Sequence, residues 1–248
     1  MGVGDSKVQY LMSSRQGRLY PPRWHDRYYH LVQLRRSLEE VAQLNSFRAK
    51  QHPIMLDMGC GEQPYRPIFE RYVGKYIGAD LPGNPYADIY LDPVRGIDLQ
   101  QASVDIVLST QVLEHVVHPT NYLAAIHTVL KDDGLLILST HGYWMYHPDP
   151  MDLWRWTGAG LRHLLAESGF SVTHVAGVMG LAASGMQLLQ DGLLRHWHWG
   201  QRLPLPLRRT TTVLFQSAME AVDWTATPQS RQLDACVFVM VAQKEGMS

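Results

Sequence analysis

The stretch Ile54-Met55-Leu56-Asp57-Met58-Gly59-Cys60-Gly61-Glu62-Gln63-Pro64 constrains this chain more than any other. A short apolar strand runs into an acid and then a turn with two glycines. A helix is expected to follow. Glycines let the backbone bend tightly and approach a ligand without a Cβ in the way. In an open α/β sheet, such a turn at the carboxyl end of a strand is the expected place for a cofactor.

Downstream, apolar runs and turns alternate in the same way. Residues 75–80, 88–91, 105–109, 135–139, 170–176 and 236–241 read as strands. Residues 119–131 read as a helix begun by Pro119 and stopped by Asp132-Asp133-Gly134, and residues 161–167 as another. This rhythm implies a mostly parallel sheet covered on both faces. The fold class is α/β: Rossmann-like and doubly wound, with seven strands, an N-terminal helical arm and a helical insertion before the last strand. The boundaries expected are 1–52 for the arm, 53–177 plus 233–244 for the core, and 178–232 for the insertion. Within the arm, Tyr28, Leu31, Leu34, Leu38, Val41 and Leu44 share a helical face, which predicts one helix over 24–48.

The arm carries nine Lys/Arg against four acids, yet the 248-residue chain totals −1, so it is no polyelectrolyte built for nucleic acid. With 46% hydrophobic residues it can bury a sizeable core. Two cysteines do not make a disulfide scaffold. No run reaches the ~20 apolar residues of a membrane span, and no apolar leader is visible. A cytoplasmic setting is the expectation.

The turn's own chemistry narrows the ligand. A dinucleotide fingerprint needs a third glycine at position 64, where Pro64 stands. Glu62 would also repel a pyrophosphate. A cofactor with no phosphate and with positive charge removes both conflicts, and S-adenosylmethionine is such a molecule. Asp80 lies 23 residues beyond Asp57, a spacing that suits a carboxylate accepting both ribose hydroxyls. Asp92 either accepts from the adenine amino group or forms a turn before Pro93.

Asp57-Met58-Gly59-Cys60-Gly61, Asp80, Val104-Asp105-Ile106-Val107, Gln111-Val112-Leu113-Glu114-His115-Val116 and Leu130-Lys131-Asp132-Asp133-Gly134-Leu135-Leu136 together resemble class I S-adenosylmethionine-dependent methyltransferases, nearest to the bacterial type 11 methyltransferase domains. The resemblance implies S-adenosylmethionine as cofactor and S-adenosylhomocysteine as product. It implies that Asp57, Gly59 and Gly61 line the methionine and ribose part, and that Asp80 binds the ribose, with Leu81 beside it. It places Asp92 at the adenine and Ser109 to Gln111 at the amino acid end. One departure is Gln63, where many members have a third glycine. Pro64-Tyr65-Arg66-Pro67, His147-Pro148 and Asp152-Leu153-Trp154-Arg155-Trp156-Thr157 resemble uncharacterised bacterial methyltransferases often associated with surface glycans. Some relatives use a Glu-x-x-Glu-His cation site. Here Gln111 replaces its first acid, and no metal is expected.

The acceptor side is read from His141 and His147, which follow the fifth strand among Tyr143, Trp144, Tyr146, Trp154 and Trp156. A hydroxyl acceptor needs a base, and histidine suits. The spacing favours His147, held in the loop His147-Pro148-Asp149-Pro150, with His141 the other candidate; either is otherwise a structural hydrogen-bonder. His196-Trp197-His198-Trp199 reads as an aromatic lid, a dimer contact or a peripheral membrane contact before a metal site. The function expected is O-methylation of a small molecule or glycan. N-methylation of protein or RNA and a non-catalytic cofactor-binding module remain as alternatives, and the oligomeric state stays open.

Overall fold

Seven apolar runs become seven strands: β1 (Ile54–Met58), β2 (Lys75–Asp80), β3 (Ile89–Tyr90), β4 (Val104–Thr110), β5 (Leu130–His141), β6 (Phe170–Gly180) and β7 (Ala235–Lys244). The structure is a computed structural model that describes residues 15–92, 96–148 and 151–245. The strands form one sheet in the order β3-β2-β1-β4-β5-β7-β6. The pairs from β3 to β5 are parallel, and β7 runs antiparallel between β5 and β6. The chain builds outward from β1 to β3, then crosses back to β4. That reversal opens a crevice at the carboxyl ends of β1 and β4.

Side-chain alternation sends neighbouring residues to opposite faces. Met55, Ile106 and Ile137 join a core with Leu34, Leu38 and Val41 of α1 (Tyr28–Val41). Leu56, Val107 and Leu136 join the other core, with Leu123 and Ile126 of α2 (Pro119–Val129) and Leu161 and Leu165 of α3 (Gly158–Glu167). Each such leucine or isoleucine contributes about 1.5–3 kcal/mol on burial. This two-sided demand explains why β4 is buried almost throughout.

Three local expectations change. The helix expected over 24–48 is only Tyr28–Val41, followed by a separate turn, Asn45–Arg48. Leu44 is extended (φ −60°, ψ 141°), yet Leu44 and Phe47 still face the core, so the apolar spacing runs straight through the break. The helix after the glycine turn is a single turn, Arg66–Phe69. Asp132-Asp133-Gly134 does not stop a helix. α2 ends at Val129, and these residues form an irregular corner inside β5, where the register with β4 shifts between Val104 and Ile106.

Between β6 and β7 lie α4 (Leu181–Asp191), a π-helical turn Gly192–His196, a short turn His198–Gln201, α5 (Leu205–Asp223) and a turn Pro228–Leu233. A polar seam ties this region to the approach of α1. Gln187, Gln190 and Gln216 all donate to the Asp26 carbonyl, and Tyr29 Oη donates to Asp223 Oδ2 at 2.9 Å. Among the described residues, no helix is long and apolar enough to cross a membrane.

Candidate active site

The glycine turn is stitched to the next strand. The N–H groups of Gly59 and Cys60 both donate to the Ala79 carbonyl, at 2.8 and 3.0 Å. Gly59 (φ +80°) and Gly61 (φ +52°) are left-handed, which glycine adopts freely. A Cβ on Gly59 would lie 2.4 Å from Val112 Cγ2, whereas a Cβ on Gly61 would meet nothing within 4 Å. Space is thus open over Gly61 and closed behind Gly59. Gln63 is also left-handed (φ 53°), a conformation that suits the glycine the methyltransferase resemblance implies at this position. Its side chain is anchored at both ends: Nε2 donates to the Tyr86 carbonyl and Oε1 accepts from Arg66 Nη1. Two such bonds offset a left-handed cost of about 1–2 kcal/mol.

Asp57 sits in the crevice wall, buried. Its Oδ2 accepts from Tyr76 Oη at 2.6 Å, while Oδ1 is buried with no hydrogen-bond partner. Burial raises its pKa to about 7; the Tyr76 hydrogen bond opposes the shift and Asp80 adds to it. A buried carboxylate oxygen without a donor is costly, and it marks a place for a ligand's N–H or O–H. Asp80, at the end of β2, is differently occupied. Its Oδ2 accepts from the Gly61 N–H and from Asn84 Nδ2, and its Oδ1 from the Leu81 N–H, each at 2.7 Å. A carboxylate has about four lone-pair sites, and three are taken. The expected grip on two ribose hydroxyls therefore requires one of these donors to leave. Asn84, the one side-chain donor of the three, also donates to the Gly61 carbonyl and is a residue that the sequence reading missed.

Leu81 is an exposed apolar side chain beside this pair. Asp92 is exposed at the far rim, with its backbone bridged to Gly96. Ser109 is fully buried, its hydroxyl 2.8 Å from Tyr122 Oη, so that side chain braces α2 rather than opening to the crevice. Gln111 takes a left-handed conformation (φ 56°) at the tip of β4, held by its N–H to the Ser139 carbonyl and by Nε2 to Ser139 Oγ. Strained tips of this kind cluster at functional sites.

The donor set fits the expected cofactor. The open space over Gly61 admits a ligand against backbone, the orphaned Asp57 Oδ1 suits a donor, and the acids repel phosphate.

A second group of side chains gathers beyond β5. His141 ends that strand and is only 2% exposed. Its Nδ1 lies 2.9 Å from Glu114 Oε1, an ion-pair distance off the hydrogen-bond axis. Glu114 Oε2 accepts from Thr140 Oγ1 at 2.9 Å. Burial pushes the Glu114 pKa up, but His141 brings it below the usual carboxylate range; burial lowers the His141 pKa despite Glu114. His141 stacks on Trp144, with planes 6° apart, and Trp144 also meets His30 and the Arg27 guanidinium. His147 meets His141 and His115 edge-on, with ring centroids 5.3 and 5.1 Å away. Burial, then His141 and Arg27, lower the His147 pKa to about 4. Its backbone N–H donates to Asp152 Oδ2, itself paired with Arg155. Asp149 and Pro150 lie outside the described residues. His147 is thus fixed by Asp152 at its start.

Glu114, His115 and His147 bring ligand-type atoms within 4.8 Å of one another. Both Glu114 oxygens already face His141 and Thr140, and His115 Nδ1 meets the Met151 carbonyl.

A sheet of this order, with a phosphate-averse glycine turn at its switch point, defines a class I S-adenosylmethionine-dependent methyltransferase. A family model described as a methyltransferase domain matches residues 24–175, more than half of the chain, and the chain belongs to that family. It is an enzyme of that class, and its cofactor is S-adenosylmethionine. The ubiquinone biosynthesis O-methyltransferase of Ruegeria pomeroyi is 34% identical over 100 residues, 35% of this chain and 40% of that one. A Mycolicibacterium smegmatis protein, described as a probable S-adenosylmethionine-dependent methyltransferase, is 27% identical over 139 residues, 50% of this chain and 54% of that one. The chain thus spans about half or less of these curated relatives. An S-adenosylmethionine-dependent methyltransferase from Mesorhizobium loti shares the fold, with a TM-score of 0.52 at 16% identity over 84% of this chain and 96% of that one.

Proposed function

We propose that this enzyme methylates a hydroxyl oxygen of a small molecule or glycan, with His147 taking the hydroxyl proton. The observation that carries this reading is the contrast between the two histidines. His147 is half-buried, and among the described residues its ring has no hydrogen-bond partner. His141 is sealed in and pressed against Glu114 and Trp144. The first is free to meet a substrate; the second holds the first in place.

A pKa of about 4 keeps His147 neutral, and so able to accept a proton, at pH 7. Such a base is weak, and a hydroxyl of lowered pKa, such as a phenol, asks least of it. The exposed faces of Tyr146 and Trp154, the latter stacked on Trp156, offer walls for a ring or sugar. The partial similarity to an O-methyltransferase supports an oxygen acceptor.

On this reading Asp57, Gly59 and Gly61 line the methionine and ribose part of the cofactor. Asp80 takes a ribose hydroxyl as Asn84 withdraws. Leu81 and Asp92 flank the adenine, and Gln111 the amino acid end, with Ser109 contributing through its strand position. When bound, S-adenosylmethionine supplies an electrophilic methyl group. The protein's share is alignment and proton removal.

The experiment is transfer of a labelled methyl group to phenols, sugars and amines by wild type and His147→Ala. The expected result is label on oxygen and a turnover loss of about 10²–10⁴-fold, with cofactor affinity unchanged. Wild-type turnover in the variant removes the base, and label on nitrogen alone removes the acceptor class.

A further inference from the structure

Residues 192–219 hold four arginines, Arg195, Arg202, Arg208 and Arg209, two histidines, and neither Asp nor Glu. In the fold this stretch runs from the end of α4 into α5. Leu194 and Met219 are buried, but several of its other apolar side chains point outward. Trp197 and Trp199 are 55% and 54% exposed, with ring centroids 5.9 Å apart, and Leu205 and Leu207 are 57% and 51% exposed. Single exposed apolar residues are ordinary. Two tryptophans and two leucines within eleven positions form a patch.

Local packing enforces the exposure. A Cβ on Gly200 would lie 2.0 Å from the Leu193 carbonyl, so the turn that carries Trp199 is pressed hard onto the preceding one. Pro204 and Pro206 then bracket Leu205 at the start of α5. The arginines divide into two pairs. Arg195 turns inward to Asp26 at 2.7 Å, and Arg209 stacks over Trp24 at 4.3 Å. Arg202 and Arg208 make no ion pair among the described residues.

We propose that this face docks on the surface of an anionic lipid bilayer. Trp197, Trp199, Leu205 and Leu207 enter the headgroup boundary, and Arg202 and Arg208 meet lipid phosphates. Tryptophan prefers that boundary, and basic charge without interspersed acid is the complement of an anionic leaflet. With no spanning helix among the described residues, attachment is peripheral. The inference does not depend on the O-methylation reading. The docked face does adjoin the acceptor side, because Arg195 Nη1 contacts Met145 Sδ at 3.9 Å, two residues before His147.

The test is co-sedimentation of the full chain with vesicles of phosphatidylcholine alone or mixed with phosphatidylglycerol. The expected result is binding to the mixed vesicles only, weakened by salt and accompanied by a blue shift of tryptophan emission. Arg202→Gln and Arg208→Gln should each weaken binding about fivefold. The double variant Trp197→Ser/Trp199→Ser should weaken it at least about tenfold. Cofactor affinity, measured alongside, should be unchanged in all three. Equal binding to both vesicle types, or variants that bind like wild type, overturns the proposal. So does a dimer in sedimentation velocity that the tryptophan variant abolishes, since that assigns the patch to a second copy. The two arginine variants remove no hydrogen bond or ion pair among the described residues, so they decide the matter even if the tryptophan variant folds poorly.

Discussion

The two halves of the crevice are built from different materials. On the β1–β2 side the chain's path sets the shape, through the left-handed Gly59, Gly61 and Gln63 and the Gly61–Asp80 bond, with the Asp57 and Asp80 carboxylates set on that frame. On the β5 side, side chains set the shape: the half-buried His147 stands between two other rings, over the buried His141, Trp144 and Glu114. A backbone surface can only recognise what the chain's path allows. A side-chain surface can be retuned residue by residue. On the proposed reading, the first half holds a fixed cofactor and the second a variable acceptor.

The largest effect expected from breaking this division is at Gly59. Gly59→Val imposes about 1–3 kcal/mol of backbone strain and drives a side chain into Val112, so cofactor affinity should fall by at least about a hundredfold in calorimetry. Gly61→Ala, where space is open, should melt within about 1–2 kcal/mol of wild type yet bind cofactor about tenfold more weakly. If side chains rather than backbone carried the cofactor half, neither change would separate binding from stability. His141→Gln on the other side should leave cofactor affinity intact and lower turnover alone.

The halves should also answer pH with opposite signs. Asp57 has a folded pKa of about 7, above its unfolded value near 3.9, so its contribution to stability is present below about 4 and lost as pH rises through about 7. His147, at about 4 when folded and near 6.5 unfolded, has its contribution above about 6.5 and loses it as pH falls towards 4. Denaturant melts of the cofactor-free protein across pH 4–7 should therefore show partial cancellation. Relative to wild type, Asp57→Asn should make stability rise more steeply with pH and His147→Gln should make it rise less steeply, since His30 and His141 keep their own depressed pKa values in both variants. The smallest effect expected is from chelation. Because the Glu114 oxygens are already engaged, EDTA should leave methyl transfer unchanged, and a loss restored by a divalent cation would show that the histidine cluster holds a metal instead.

The geometry of the glycine turn and the strand after it was legible because its signals are local. An acid, two glycines and a second acid one strand later lie within 24 residues, and each has a backbone reason to be where it is. What escaped were contacts between distant segments. Nothing in the sequence near Asp80 announces that Asn84 occupies it, and the pairing of Glu114 with His141 joins residues 27 positions apart across β4 and β5. The break at Leu44 escaped for another reason: an extended residue can keep the next turn on the core face, so apolar spacing does not register it. Ser109 shows the reverse failure, since its place at a strand end was right while its side chain points to α2.

β6 and β7 lie side by side and run in opposite directions, with Gly180 paired to Ala235. Residues 181–234 therefore depart from the sheet and rejoin it at adjacent points, like an overgrown hairpin loop. Doubling the length of such an excursion costs only about 0.6 kcal/mol of closure entropy. Through this seam the catalytic sheet can be fitted with a different outer attachment, longer, shorter or stripped of tryptophan, while the strands that hold the methyl donor stay as they are.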